Sequence, residues 1–405
     1  MATTRITAKD RAVYLKRALQ AADWFVNAQI KTERVWMSDH GRFVYYYYMP
    51  EKKHVPGLNW THGRAMFVLS EALRITGDNR YRDSIELGAR YMKALQPMDP
   101  CQAITHGTIH EEIPQSPWGG MLDGAQAASG FLMLHLALRD ADYLRRGRAF
   151  CEFLRRTWRP DLGLSSGVHY YPEAVDYLSD KAYSCIHNAT AIPLWHLYRI
   201  TGEGQYTPYV IDAADRILRC QRPDGGIYFT ENIAALDKVP LNHHWGLGET
   251  HEEKCLLRND DAIVVVIQAA YLITKNAKYL DALVRYGEWI MANEPHVRPY
   301  NAFGVQANNV LDIAKMAGKD WTPWVLDHLK KHCLDLQALG TGDPRAEGGF
   351  RGEDEEGNAG IFGGKALDYV PTRNTCYMAS LLYRLSGQGN GAGFSVWGVD
   401  PWMKK

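Results

Sequence analysis

The sequence is short of several things, and each shortage narrows its reading. Charge of one sign is missing: 46 basic and 46 acidic residues balance over 405 positions. No basic run is interleaved with aromatics, so nucleic acid and membrane surfaces are poor partners. No apolar run is long enough to span a bilayer, and the opening stretch MATTRITAKDRAVYLKRALQ lacks the apolar core of a secretion signal. The seven cysteines (101, 151, 185, 220, 255, 333 and 376) are scattered, odd in number and never spaced as C-x-x-C. That excludes a disulfide scaffold and predicts buried thiols in a reducing compartment, hence a cytoplasmic protein. No Pro/Ser-rich linker interrupts the chain, and a single domain over 1–405 is expected.

What the sequence has in abundance is helical periodicity, and it comes in pairs. HGRAMFVLSEALRITGD has apolar residues at three- and four-residue spacing and is followed by YRDSIELGARYMKAL. The unit recurs as DGAQAASGFLMLHLALRDADY with LRRGRAFCEFLRR, and as HNATAIPLWHLYRITGEGQY with YTPYVIDAADRILRCQ. It recurs again as DDAIVVVIQAAYLITKNAKY with YLDALVRYGEWIMAN, and as NAFGVQANNVLDIAKMAGKD with WTPWVLDHLKKHCLDL. A last helix, RNTCYMASLLYRLSG, has the N-terminal YLKRALQAADWFVNAQ as its partner. Repeated helical hairpins make an open solenoid or a closed ring. The first member of each pair is apolar nearly all round, whereas the second has a charged face, as in an inner layer wrapped by an outer one. With the N-terminal helix completing the last pair, the expected fold is all-α, an (α/α)6 toroid with six inner and six outer helices.

Compact helix–helix links are short, yet the links before the inner helices run over 41–61, 98–122, 158–186, 221–259 and 337–372. They are rich in Gly, Pro, Trp, Tyr and His. The short Thr-Gly turns fall at the opposite helix ends, so the long links gather at one rim, beside helix N-termini that favour anions. Two of these links carry His-Glu-Glu after a glycine: GTIHEEIPQSPWGGMLDGAQAA and GETHEEKCLLRNDDAIVV. The rim is the candidate site.

Within it, the W-x-x-G-x-A helix start at 60–65, the H-E-E-x-P loop at 110–114 and a nearby Ser-Pro form one set of motifs. A Ser-Gly-x-x-Tyr loop at 166–170 and a tyrosine followed four residues later by histidine, Tyr183 and His187, complete it. Together residues 57 to about 190 resemble the C-terminal catalytic domain of D-glucuronyl C5-epimerases and, more broadly, the (α/α)6-toroid polysaccharide lyases and uronyl hydrolases. The resemblance implies a uronate substrate and places catalytic roles on Glu112, Tyr170 and Tyr183, with His187 beside them. One departure matters: the family has a tyrosine after the second glutamate, and this chain has Ile113. Without it, proton abstraction from one side survives better than two-sided epimerisation.

The expected partner is therefore a uronate-containing oligo- or polysaccharide, and the expected reaction is C5 proton abstraction with β-elimination. Such a step needs the uronate carboxylate neutralised, a base at C5 and a donor to the leaving oxygen. Arg64, Arg258 and Arg373 lie near inner-helix starts and are expected to take the carboxylate; pairing with acids such as Asp260 and Asp261 is the structural alternative. Trp60, His62, His110, Trp118, His244, His251 and Glu252 are the remaining expected substrate contacts. Glycoside hydrolysis of glucuronidase type would use the same rim differently, through two carboxyls drawn from Glu111, Glu112, Asp123, Glu252, Asp260 and Asp261. Asp123 and Asp260 also read as N-caps. A uronate C5-epimerase and a non-catalytic glycan-binding toroid complete the alternatives.

No cofactor is expected. The loop LNHHWGLGETHEE packs His243, His244, Glu249, His251 and Glu252 together, with His106 and His110 in the sister loop, and would suit Zn²⁺ or Mn²⁺ if a metal is used. The four tyrosines at 45–48 read either as a sugar-stacking platform or as a strand that buries every other ring.

Overall fold

The computed structural model describes residues 6–32, 39–170, 173–176, 184–228, 256, 262–293, 303–352 and 362–403. The expected helical pairs appear in order. Helix α1 spans Ala8–Ala28, α2 Asn59–Thr76, α3 Asn79–Ala94, α4 Met121–Leu138 and α5 Ala141–Thr157. A short helix α6, Ser184–Asn188, leads through one 3₁₀ turn into α7, Ile192–Thr201, followed by α8, Thr207–Arg219. The later pairs are Ile263–Thr274 with Ala277–Ala292, Phe303–Ala317 with Thr322–His328, and the closing helix Thr372–Leu385. Among the described residues no helix is long and apolar enough to cross a membrane.

The tight ends of the hairpins repeat one device. Thr76 Oγ donates to the Ala72 carbonyl and accepts the Asp78 N–H. Thr201 does the same with Leu197 and Glu203, and Thr274 with Ala270 and Asn276. Between each threonine and the next helix one residue takes the left-handed conformation: Gly77 at φ 69°, Gly202 at 77°, Lys275 at 56°. A left-handed C-terminal residue turns the chain sharply and returns the last amide to the helix. The recurrence in three hairpins is the structural counterpart of the sequence repeat.

The chain separates into two compact units, Met1–Tyr91 with Val297–Lys405, and Met92–His296. In the first, α1 packs against Thr372–Leu385, as expected of the N-terminal helix, and that helix also packs on α2 and on Phe303–Ala317. Its inner helices are buried all round; α2 is buried at every position from Asn59 to Leu73. Three antiparallel strands, β1 (Val44–Tyr48), β2 (Lys53–Pro56) and the closing strand Tyr369–Pro371, form a small sheet with β1 at its centre. The four tyrosines do not alternate between core and solvent. Tyr46, Tyr47 and Tyr48 are buried and Tyr45 is half-buried. Both faces of β1 are covered: Tyr46 and Tyr48 pack on Tyr369 and Phe362, while the Tyr47 hydroxyl donates to Asp343.

In the second unit α4 packs on α5 and α7, and α8 on Ile263–Thr274. Its own small sheet is β3 (Trp118–Gly120), β4 (Gly167–Tyr170) and β5 (Glu173–Asp176), antiparallel, with Trp118 opposite His169, Gly119 opposite Val168 and Gly120 opposite Gly167. Two of the long links, expected as loops, thus contribute the strands that present the site. The stretch QRPDGGIYF closes as a tight turn in which Arg222 donates to Gly226 and Gln221 pairs with Ile227.

Candidate active site

The loop before α4 is organised by one residue, Ser116. Its hydroxyl oxygen accepts the N–H groups of Glu112 at 3.2 Å and Ile113 at 3.0 Å. Its carbonyl takes the Nδ1–H of His110 at 2.9 Å, and its own N–H donates to the Ile113 carbonyl at 2.9 Å. Because a carbonyl can only accept, His110 must carry its proton on Nδ1. Clasped in this way, the consecutive side chains of His110, Glu111 and Glu112 are sent to three different surroundings.

His110 turns into the core. It is buried, its ring stacks on Tyr170 with centroids 3.7 Å apart and planes 23° apart, and desolvation holds its pKa below the ordinary histidine value. It is therefore a neutral positioning group at pH 7. Glu112 is exposed. Glu111 turns toward the start of α4, where its Oε2 accepts the Gly120 N–H at 2.9 Å and its carboxyl hydrogen-bonds that of Asp123.

The expectation that Asp123 caps α4 is not met. Gly120 is the N-cap, no side chain caps there, and Asp123 lies in the first helical turn. The two amides that open the helix are held from outside it: Glu111 accepts the Gly120 N–H and the Ser166 carbonyl accepts the Met121 N–H, each at 2.9 Å. Asp123 is left facing Glu111. Burial first, and the charge of Asp123 second, raise the Glu111 carboxyl well above the usual carboxylate range, against the opposing pull of the Gly120 N–H. The surroundings of Glu111 thus favour its protonated form over its ionised one.

Tyr170 lies behind this pair. Its hydroxyl donates to Thr108 Oγ at 2.9 Å, and Thr108 passes its own proton to the Thr105 carbonyl at 2.6 Å. Burial raises the Tyr170 phenol above its ordinary value. That direction favours a hydrogen-bond donor over a base. His187 sits half-buried in α6, where its carbonyl accepts the Thr190 hydroxyl. Trp118, at the start of β3, is 38% exposed. Tyr183, His244, His251, Glu252, Arg258, Asp260 and Asp261 lie outside the described residues, as do His243 and Glu249 of the metal-candidate loop. Among the described residues no three His, Cys, Asp or Glu side chains are grouped to hold a metal.

The other expected contacts belong to the first unit. His62 is fully buried; its Nε2 accepts the Phe43 N–H at 3.1 Å and its Nδ1–H donates to the Leu58 carbonyl at 2.8 Å. Burial pushes its pKa down to about 3 and its ring stacks on Tyr91, so its observed work is to join the residue ahead of β1 to the start of α2. Trp60 is buried, with the Arg64 guanidinium 4.3 Å and the Arg373 guanidinium 5.5 Å from its ring. Cation and aromatic reinforce one another in such stacks. Trp60, Arg64 and Arg373 therefore form one cluster, and Tyr45 packs edge-on against it.

No family model matches the chain, and no curated protein sequence matches it. Solved structures do. A family 76 glycoside hydrolase, a mannosidase of Bacteroides thetaiotaomicron, is 14% identical over 92% of this chain and 98% of its own, with a TM-score of 0.62. An inactive α-1,6-mannanase variant of Salegentibacter, in complex with α-1,6-mannotetraose, is 11% identical over 93% and 99%, at 0.58. The cellobiose 2-epimerase of Bacillus thermoamylovorans is 9% identical over 92% and 100%, at 0.62. Likeness at such identities establishes architecture, and the architecture is the (α/α)6 toroid expected from the helical pairs.

Proposed function

We propose that this protein is a carbohydrate-active enzyme that cleaves a glycosidic bond by hydrolysis, with Glu111 as the general acid. The observation that carries the reading is the Glu111 carboxyl held by the Gly120 N–H beside Asp123, where burial and a like charge raise its pKa. Glycoside hydrolysis needs such a protonated carboxyl at the leaving oxygen and a second, ionised carboxyl for the water or the anomeric carbon. Glu111 and Asp123 in contact are too close to be that second partner's pairing, because hydrolytic carboxyls stand roughly 5–9.5 Å apart. Asp123 instead holds the proton on Glu111 between turnovers. The second, ionised carboxyl is drawn from the remaining acids of the sequence set, Glu252, Asp260 and Asp261.

In the reaction, the Glu111 proton passes to the glycosidic oxygen as the C–O bond breaks. Water adds to the anomeric carbon and gives its proton to the ionised carboxyl. Sugar-acting proteins of the same fold, including those that bind mannooligosaccharides, support the substrate class.

The second reading is C5 proton abstraction from a uronate, as a lyase or an epimerase. The motifs shared with D-glucuronyl C5-epimerases favour it, and so does the place of Tyr170 behind Glu111. The engagement of the Tyr170 hydroxyl with Thr108 and its raised pKa weigh against its use as the base. One experiment separates the two. Wild type and Glu111→Gln are incubated with mannose-, glucose- and uronate-based oligosaccharides, and product mass and ultraviolet absorbance are recorded. A product heavier by one water, lost in Glu111→Gln, is the expected result; an unsaturated uronate product overturns hydrolysis in favour of elimination.

A further inference from the structure

We propose that Trp118, laid across two glycines beside Glu111, is a pyranose-stacking platform for the sugar next to the bond that is cleaved. The proposal rests on the carbohydrate reading above and adds a binding surface to it. Trp118 and Gly120 project from the same face of β3, and His169 and Gly167 lie opposite them on β4. Neither glycine has the left-handed backbone that would by itself demand glycine: both are absent from the positive-φ residues, and Gly120 has φ −70°. Space demands it. A Cβ on Gly167 would stand 2.7 Å from Trp118 Nε1 and 3.0 Å from Cε2; one on Gly120 would stand 2.9 Å from Cη2 and 3.2 Å from Cζ3. The indole thus lies across both glycines, with its pyrrole end over β4 and its benzo end over β3.

The same strand residue ties this ring to the acid. Gly120 donates its N–H to Glu111 Oε2 at 2.9 Å, and its missing Cβ would lie 3.4 Å from that oxygen. The benzo edge of Trp118 and the Glu111 carboxyl therefore meet over a single glycine. Most large aromatics among the described residues are buried; Trp118 keeps 38% of its surface in solvent although an ordinary β3–β4 pair could cover it with side chains at 120 and 167. A flat, rigid, half-open apolar ring against a proton donor is what a pyranose needs: its C–H face stacks on the indole while a ring-bound oxygen reaches the acid. The opposite face of β3 and β4 serves the core, with Tyr170 and Ile109 against Gly119.

The test is equilibrium binding to the intact chain carrying Glu111→Gln, which slows turnover, with α-1,6-mannotetraose, cellotetraose and a tetraglucuronate as probes. Trp118→Ala, Trp118→Phe and Gly167→Ala are compared in that background, with melting temperature as the check on folding. The expected result is a loss of about tenfold or more for Trp118→Ala on whichever probe binds, most of it restored in Trp118→Phe. Gly167→Ala keeps the indole but displaces it, and should weaken binding with the ring still present. If Trp118→Ala binds as tightly as its parent, the platform is wrong and the Glu111 reading is untouched. If the parent binds none of the probes, the platform is overturned together with the assigned substrate class.

Discussion

At the scale of single residues, the chemistry depends on which of two neighbouring glutamates points inward. The family resemblance puts the catalytic role on Glu112, yet it is Glu111 that faces Asp123, while Glu112 is exposed. Replacing Glu111 by Gln should lower the hydrolytic rate by about 10²–10⁴, the usual contribution of a general acid. Glu112→Gln should leave the rate close to wild type. Equal losses in steady-state assays of the two variants would contradict the assignment. Tyr170→Phe removes the bond to Thr108 and should lower stability by about 1 kcal/mol while sparing the rate; a rate collapse there restores the tyrosine-based mechanism. The pH dependence follows from the direction of the Glu111 shift. The acid must be protonated, so the rate falls as pH rises through its raised pKa. That falling limb should vanish from the residual rate of Glu111→Gln.

At the scale of elements, the helices were legible and the loops were not. Each inner helix announces itself by apolar residues at helical spacing, and the Thr-Gly turns mark the hairpin ends, because a helix buries a periodic face. The loop from His110 to Gly120 has no period. Its shape comes from Ser116, which takes two amide hydrogens, and from Asp123, which serves a carboxyl although its position reads as a cap. Both carboxyls stood among the candidates for a two-carboxyl mechanism, but the contact between them depends on β3 pairing with β4, a long-range event. The tyrosine strand teaches the same point: its neighbours on both faces lie far along the chain, at Asp343 and Tyr369. Ser116→Ala should therefore act on the site through the loop. Its two amides lose their acceptor, with a cost of about 1–3 kcal/mol if they stay buried. The rate should fall while Ser116→Thr, which keeps the hydroxyl oxygen, recovers part of it. Thermal melts and rates that both ignore Ser116→Ala would show that the clasp does not position Glu111.

At the scale of the whole molecule, several carboxyls are held inside the fold with raised pKa values. Glu71 is buried in α2 with Arg74 at 2.6 Å, and its burial, stronger than that pairing, raises it from the ordinary 4.5 to about 7. Asp312, fully buried against Arg384 and Ser395, is likewise raised by burial. For Glu71 the sign is set by linkage. Below pH 4.5 folded and unfolded chains are both protonated there; between 4.5 and about 7 only the folded chain keeps its proton, so stability falls as pH rises, by about 3 kcal/mol in all. Melting temperature against pH should accordingly fall less steeply over that window in Glu71→Gln than in wild type, and parallel curves would refute the shift. The central claim, that the folded chain keeps a proton on Glu111, is tested most directly by infrared spectroscopy. The carbonyl stretch of protonated carboxyl groups is recorded at neutral pH for wild type, Glu111→Gln and Glu112→Gln. The account predicts a band present in wild type and Glu112→Gln and missing its Glu111 component in Glu111→Gln. A spectrum unchanged by Glu111→Gln, or one that loses the band only in Glu112→Gln, would contradict it.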